Sequence, residues 1–211
     1  MSQSSGLTKP PRRVPQQERG ERRVAALLDA AAAVIAEVGY EAATMTAVAE
    51  RAGASIGAVY QYFPNKDAIV RALRMQYGDE MDARWRRLVD DMDVDGGDTT
   101  QLVDRMFDLL VDFIESRPAY LPLLSAPISI KRDPAARHRL RKHFATLFRR
   151  TQPALTPADA LRVAHVAVQV IKAMGPVLID AKPKERQAVV REFKLVLVAY
   201  LTERLRPPAS P

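Results

Sequence analysis

The 211-residue chain has no cysteine, which excludes disulfides and thiolate metal sites. Glycine is scarce, at nine residues, and aromatic side chains make up 6% of the chain with a single tryptophan. There is no glycine-rich phosphate loop and no nucleophile elbow. The three histidines, His138, His143 and His165, are not paired with carboxylates at metal-ligand spacing. His138 and His143 lie five apart and splay around a helix instead of sharing a face. An enzyme is therefore not expected, nor is a cofactor or a metal site. No apolar run approaches the roughly 18 residues that a membrane span requires. Residues 1–23 are polar throughout and lack a signal peptide's apolar core. The expectation is a cytoplasmic protein with no membrane partner.

What is present forms helices. Hydrophobic residues make up 47% of the chain, alanine, leucine, arginine and valine dominate, and no strand-like alternation stands out. The predicted class is all-α. The net charge of +7 favours a polyanionic partner, and the bias is strongest at the N-terminus. There Lys9, Arg12, Arg13, Arg19, Arg22 and Arg23 face only Glu18 and Glu21. A proline-rich arm so poor in apolar residues cannot bury enough surface to fold alone. It suits either a track along phosphates or a minor groove, or a solubilising tail.

The most specific run is Thr44 to Lys66, TMTAVAERAGASIGAVYQYFPNK. Thr46 offers an N-cap for a helix through Ala52, with Val48, Ala49 and Ala52 inward. Gly53 ends that helix, because glycine takes the left-handed C′ conformation without a Cβ penalty. Ser55 then caps a second helix, Ile56 to Phe63, a connection short enough for a helix-turn-helix. Rotating each residue by about 100° puts Ile56, Val59, Tyr60 and Phe63 on the core side. Gly57, Ala58, Gln61 and Tyr62 fall on the other. Small residues at 57 and 58 let the backbone approach a groove, Gln61 carries an amide suited to adenine edges, and Tyr62 offers a hydroxyl to a phosphate.

Thr46, Ala49, Ala52-Gly53-Ala54-Ser55, Gly57, Val59-Tyr60 and Tyr62-Phe63-Pro64-Asn65-Lys66-Asp67 together resemble the DNA-binding signature of the TetR family of bacterial transcriptional regulators. The likeness reaches back to Ala31, Ile35 and Gly39-Tyr40, so it covers roughly residues 20 to 75. The resemblance implies phosphate contacts from Thr46, Ser55, Tyr62 and Lys66, and base-edge contacts from Gly57, Ala58 and Gln61. It also implies a bracing role inside the domain for Tyr60. Thr46 and Ser55 would be caps in any helical protein, and water or shape readout competes with direct reading by Gln61. Arg22, at the start of the first helix, completes the expected DNA-binding set.

Three regions are expected: a disordered basic arm over 1–18, a helix-turn-helix domain over 19–66, and an effector-binding and dimerisation domain over 67–211. The first helix should run from about Arg19 to Val38. A long helix from Lys66 to about Met92 should carry Ile69, Leu73, Tyr77, Trp85 and Leu88, followed by a loop over 93–100. The body offers helical segments over about 101–116, 118–130 (broken by Pro122 and Pro127), 134–150, 157–180 and 184–206. The last two are apolar around most of their circumference, so they need neighbours on more than one side. A two-fold homodimer through an isologous four-helix bundle meets that need, as does a monomer with both helices central.

A sensor cavity is expected among Phe107, Leu110, Tyr120, Leu124, Phe144, Phe148 and Met174, near helix breaks at Pro122, Pro127 and Gly175-Pro176. Mostly apolar lining is usual for such a site, with His165, Gln169 or Lys172 as its polar groups; the same aromatics also suit plain core. The sequence thus describes a sequence-specific DNA-binding regulator, a repressor released from a palindromic operator on double-stranded DNA by a small apolar or aromatic effector. It would be cytoplasmic in a bacterium and nucleoid-associated when bound. A dimeric regulator without a ligand and a non-specific DNA-binding protein are the alternatives.

Overall fold

The computed structural model describes residues 16–91, 98–127 and 134–206. Residues 1–15 of the arm expected over 1–18, most of the loop expected at 93–100 and the end of the segment expected over 118–130 lie outside them; residues 16–18 of that arm are helical rather than disordered. The described residues form helices without strands: α1 (Gln16–Ala42), α2 (Met45–Arg51), α3 (Ile56–Tyr62), α4 (Lys66–Asp90), α5 (Thr99–Ser116), α6 (Tyr120–Ser125), α7 (Pro134–Thr151), α8 (Pro157–Asp180) and α9 (Arg186–Arg204). One 3₁₀ turn, Pro183–Glu185, leads into α9. The all-α architecture, with an N-terminal helix-turn-helix head and a helical C-terminal body, matches the expectation.

Local chemistry sets the helix ends. Asn65, Asp98 and Thr156 each accept a backbone N–H from the first turn of the helix they precede, at 2.8, 3.0 and 3.1 Å, satisfying donors that a helix start leaves unpaired. Gly39 (φ 77°) breaks the helical path near the end of α1, where a side chain would be strained. Contrary to the expected interruption, α8 runs unbroken through Gly175 and Pro176. Gly175 has a different use: a Cβ there would stand 3.2 Å from Leu124 Cδ1, so glycine lets α6 approach α8 closely.

Burial divides into two clusters. The head cluster gathers Leu27, Ala31 and Ile35 of α1, Val48 and Ala49 of α2, Val59 of α3, and Ile69, Val70, Leu73 and Tyr77 of α4. Phe113 at the end of α5, and Ala119, Leu123 and Ala126 at or beside α6, belong to it as well. The body cluster collects Trp85 and Leu88 of α4, Met106 and Phe107 of α5, Phe144, Leu147 and Phe148 of α7, and Val163, Ala167 and Met174 of α8, with Leu197 and Leu201 of α9. Helix α4 thus lines both cores, one with each half of its length.

Helix α8 is long and apolar enough by composition to cross a membrane, with a mean hydropathy of 1.4 over its best window. Its sequence is not an uninterrupted apolar run because Arg162, His165, Gln169 and Lys172, all exposed, recur along one edge. Its inner face buries Ala160, Val163, Ala164, Ala167, Val168, Ile171, Met174 and Leu178, while Val166 and Val177 stay exposed.

Candidate nucleic-acid interface

The turn between α2 and α3 is built by backbone hydrogen bonds. Gly53, at φ 58°, donates to Glu50 O at 3.1 Å, and Ala54 donates to Ala49 O at 2.9 Å. This pair of bonds is a Schellman motif, and it satisfies carbonyls left open at the end of α2. One residue later Ser55 Oγ accepts from the Ala58 amide at 3.2 Å, fixing the first turn of α3. Arg51 of α2 donates to both carboxylate oxygens of Glu37 in α1, at 2.8 and 2.5 Å. That bond holds the Glu37 carboxyl below its usual range and clamps the helix pair to α1.

Two details differ from the sequence reading. Thr44, not Thr46, caps α2: its Oγ1 accepts from the Ala47 amide at 3.1 Å. Both hydroxyls in Thr-Met-Thr are eligible caps; burial of Ala43 and the extended backbone of Thr44 (φ −121°, ψ 155°) decide where the helix starts. Thr46 lies inside α2 and is exposed. The second difference concerns the run 56–63, where only Val59 of α3 and the Phe63 cap that follows it are sealed, at 0% and 7% exposure, while Ile56 is 41% and Tyr60 51% exposed. A two-turn helix meets its neighbours along a narrow arc. Tyr60 lies about 80° from the centre of that arc, and Ile56 occupies the open first turn. Tyr60 therefore does not brace the head from within.

The outward side of α3 stands as expected. Gly57, Gln61 and Tyr62 are exposed and Ala58 half-exposed. Beyond the adjoining backbone of its own helix, nothing lies within 4 Å of where a Gly57 Cβ would sit, so no packing inside the protein requires glycine there. Arg22 on α1 is exposed and pairs with Glu18 at 2.5 Å. Lys66 is half-buried and turned towards α1, where its Nζ donates to the carbonyls of Tyr40 and Glu41. Beside it the Tyr40 hydroxyl donates to Asp67 Oδ1 at 2.9 Å. Sequence reasoning missed two contributors to this surface, Tyr60 and the Lys66 staple; the first was hidden by a helical wheel applied to a helix too short for it.

In the body, all seven residues expected to line a cavity come together in or against one cluster. Phe107, Phe144, Phe148 and Met174 are at most 1% exposed. Phe144 stacks on Phe148 with ring centroids 6.1 Å apart and meets Trp85 at 5.1 Å. Two surface depressions flank α7. One, of about 350 Å³, lies between α4 and α7 and is lined by Asp79, Asp82, Arg86, Arg139, Lys142 and His143. The other, of about 460 Å³, follows α7 to the start of α8, where Lys142, Arg149 and Arg150 stand beside Ala145, Pro153, Pro157 and Leu161. Neither is lined by any of the seven. His165, Gln169 and Lys172 face outward, with His165 Nδ1 3.0 Å from Arg141. Among the described residues no group of three or more His, Asp or Glu is gathered for a metal ion.

Residues 27–73 match the family model for bacterial regulatory proteins of the tetR family. Residues 99–201 match the tetracyclin repressor-like C-terminal domain. The chain belongs to the tetR family. Within the family it is 42% identical over 73 residues to the HTH-type transcriptional repressor KstR of Mycolicibacterium smegmatis, a stretch covering 34% of this chain and 33% of that protein. The chain thus spans about a third of the length of the curated relatives it matches. A TetR-family transcriptional regulator from Streptomyces coelicolor superposes with a TM-score of 0.62 at 26% identity, covering 86% of this chain and 98% of that one. One from Pectobacterium atrosepticum reaches 0.69 at 19% identity, over 92% and 100%, and shares the fold.

Proposed function

We propose that this TetR-family chain is a homodimeric, sequence-specific DNA-binding repressor that reads a palindromic operator with α3 in the major groove. The observation that carries the reading is the outward face of α3, where Gly57, Ala58, Gln61 and Tyr62 line up on a helix whose only buried residue is Val59. An exposed helical glycine costs stability and is retained here with no internal contact to explain it; close approach of a DNA backbone or base edge supplies the reason. Ser55 at the head of α3, Tyr62, Thr46 and Arg22 would meet phosphates and Gln61 a base edge, with Tyr60 joining them as an exposed ring. Lys66 retains one N–H beyond its two internal bonds for a phosphate. The basic arm, residues 1–18 in this reading, extends the contact; residues 19–66 form the head and 67–211 the body.

Dimerisation rests on apolar surface that the subunit leaves uncovered: Val166 and Val177 on α8, at 41% and 43% exposure, and Leu195 and Val196 on α9, at 63% and 53%. Two joined heads read half-sites about one helical turn or more apart. An apolar or aromatic effector that opened the body among Phe107, Leu110, Tyr120, Leu124, Phe144, Phe148 and Met174 would shift the spacing of the heads and release the operator. The close packing of that cluster supports a second reading, a dimeric regulator with no small-molecule ligand. A thermal-shift screen against apolar and aromatic compounds separates the two, since a bound effector raises the melting temperature.

Selection of bound sites from random oligonucleotides tests the main reading. A palindromic consensus supports dimeric readout, and equal binding to random DNA at physiological salt overturns it, because specific sites exceed non-specific ones by about three orders of magnitude or more.

A further inference from the structure

We propose that Arg74 is a positioning residue for DNA reading: it grips the end of α6 and so ties the head to helix α8. This rests on the DNA-binding reading above.

Arg74 projects from the head half of α4 onto the C-terminus of α6. Its Nε donates to Leu123 O at 2.8 Å, and its Nη2 reaches Ala126 O at 2.8 Å and Leu124 O at 3.3 Å, with a further contact to Leu123 O. The last carbonyls of a helix have no partners within it and carry the negative end of its dipole. A guanidinium carries five N–H donors in a fixed planar fork and meets several of them at once. The bonds are partly buried, so water competes with them weakly. Pro127 follows at once and keeps Ala126 extended (φ −60°, ψ 132°), which holds its carbonyl in place.

The other side of α6 touches α8. Leu124 Cδ1 lies 3.2 Å from the Cβ position of Gly175, so an added side chain must push it by a few tenths of an ångström. Leu123, one residue earlier, is buried in the head cluster together with Ile69 and Leu73 of α4. Helix α6 is therefore a six-residue wedge with α8 on one side and the head on the other. A shift of α8 at Gly175 displaces Leu124 together with the carbonyls that Arg74 holds, and α4 is drawn along. Only residues 63–65 separate α4 from the end of α3, so the reading helix moves with it.

A double-mutant cycle on the full-length chain tests the coupling, with the selected operator duplex as the probe. Gly175→Val drives a side chain into Leu124 and is expected to weaken operator binding about tenfold where Arg74 is present. In the Arg74→Met background, which keeps the apolar stem but lacks the donors, the same change is expected to cost less than about twofold. Arg74→Lys should fall between the two. Losses that simply multiply in the double variant overturn the proposal, as does an unchanged affinity for Gly175→Val. Should Arg74→Met fail to fold, hydrogen exchange on the Gly175→Val protein alone decides: protection must change in α4 around residue 74 as well as in α6, and a change confined to α6 and α8 is a refutation. Wild-type protein that binds no operator at all refutes the DNA-binding reading instead, so the two failures are distinct.

Discussion

Lys66 Nζ donates to the backbone carbonyl of Tyr40 at 2.8 Å and to that of Glu41 at 3.0 Å, with the ammonium 4.3 Å from the centre of the Tyr40 ring. Gly39, just before, breaks the regular path of α1, so these carbonyls sit where the helical ladder is failing. The first residue of α4 thus closes the end of α1, and the helix pair that carries α3 is enclosed between them. Lys66→Ala should lower head stability by about 1.5–3 kcal/mol, the range for hydrogen bonds to a charged group. It should also reduce the salt slope of operator binding by about 1, for one lost phosphate contact. Urea unfolding and binding isotherms at several salt concentrations report the two separately: an unchanged melt removes the staple, an unchanged slope the phosphate contact.

Gly57 is the reverse case, a residue that weakens its own helix. With open space around its Cβ position, Gly57→Ala should stabilise the protein by about 0.5–1 kcal/mol. The same methyl stands on the face proposed to enter the groove, so operator affinity should fall while the melting temperature rises. A variant that is both more stable and equally tight in binding would mean that α3 does not approach DNA through this position.

Much of this was legible in the sequence because it depends on short-range rules. Gly53 and Ser55 announce the turn, since a left-handed C′ residue followed by a cap has few other uses. The bounds of α8, expected over 157–180, follow from Pro157 and the apolar pattern, and the Thr156 cap fixes the first of them. The cap at Thr44 was not legible, because choosing between two hydroxyls two residues apart depends on where α1 ends and on the burial of Ala43. Nor was the exposure of Tyr60: periodicity says which residues share a side but not how wide an arc the neighbours cover. The hold of Arg74 on α6 spans some fifty residues and involves backbone carbonyls, which leave no trace in side-chain pattern.

Tyr60 separates packing from recognition. At 51% exposure, its replacement by alanine should change stability by no more than about 0.5 kcal/mol, as for surface positions generally. Operator affinity should drop several-fold if the ring contacts DNA, with little change in which sequence is preferred. Gln61→Ala should instead relax the preference at one base pair. A Tyr60→Ala protein destabilised by about 2 kcal/mol or more would restore the bracing role.

Tyr77 gives the fold an alkaline limit. Burial raises its hydroxyl above the usual value of 10.0, and Tyr40, raised by burial and by its bond to Asp67, acts in the same direction. The folded chain keeps these protons at a pH where the unfolded chain has lost them. The stabilisation is complete below about pH 10 and is lost as pH rises through the folded-state values. Tyr77→Phe keeps the edge-on packing against Phe113, whose ring centroid is 6.0 Å away, and removes the titration. Urea midpoints followed from about pH 9 to about pH 11.5 should therefore fall less steeply in Tyr77→Phe than in wild type; identical curves would show that the hydroxyl does not titrate with unfolding.

The uncovered apolar residues of α8 and α9 make the last prediction, and it bears on every other. Leu195 is 63% exposed and Val196 53%, yet they sit on a helix whose opposite face is sealed by Leu197 and Leu201. On α8, Val166 and Val177 are eleven residues apart, three turns along one side, and exposed to a similar degree. Isologous pairing would cover both rows at once, since the same patch of each subunit would face its symmetry mate. Leu195→Arg places a charge where two copies would face each other across the axis, so it acts twice in the dimer and not at all on the monomer's fold. Light scattering should show the variant at monomer mass with an unaltered helical spectrum. Binding to a full operator should fall to that of a single half-site. A Leu195→Arg protein that remains a dimer and still binds the operator would move the subunit interface away from α9.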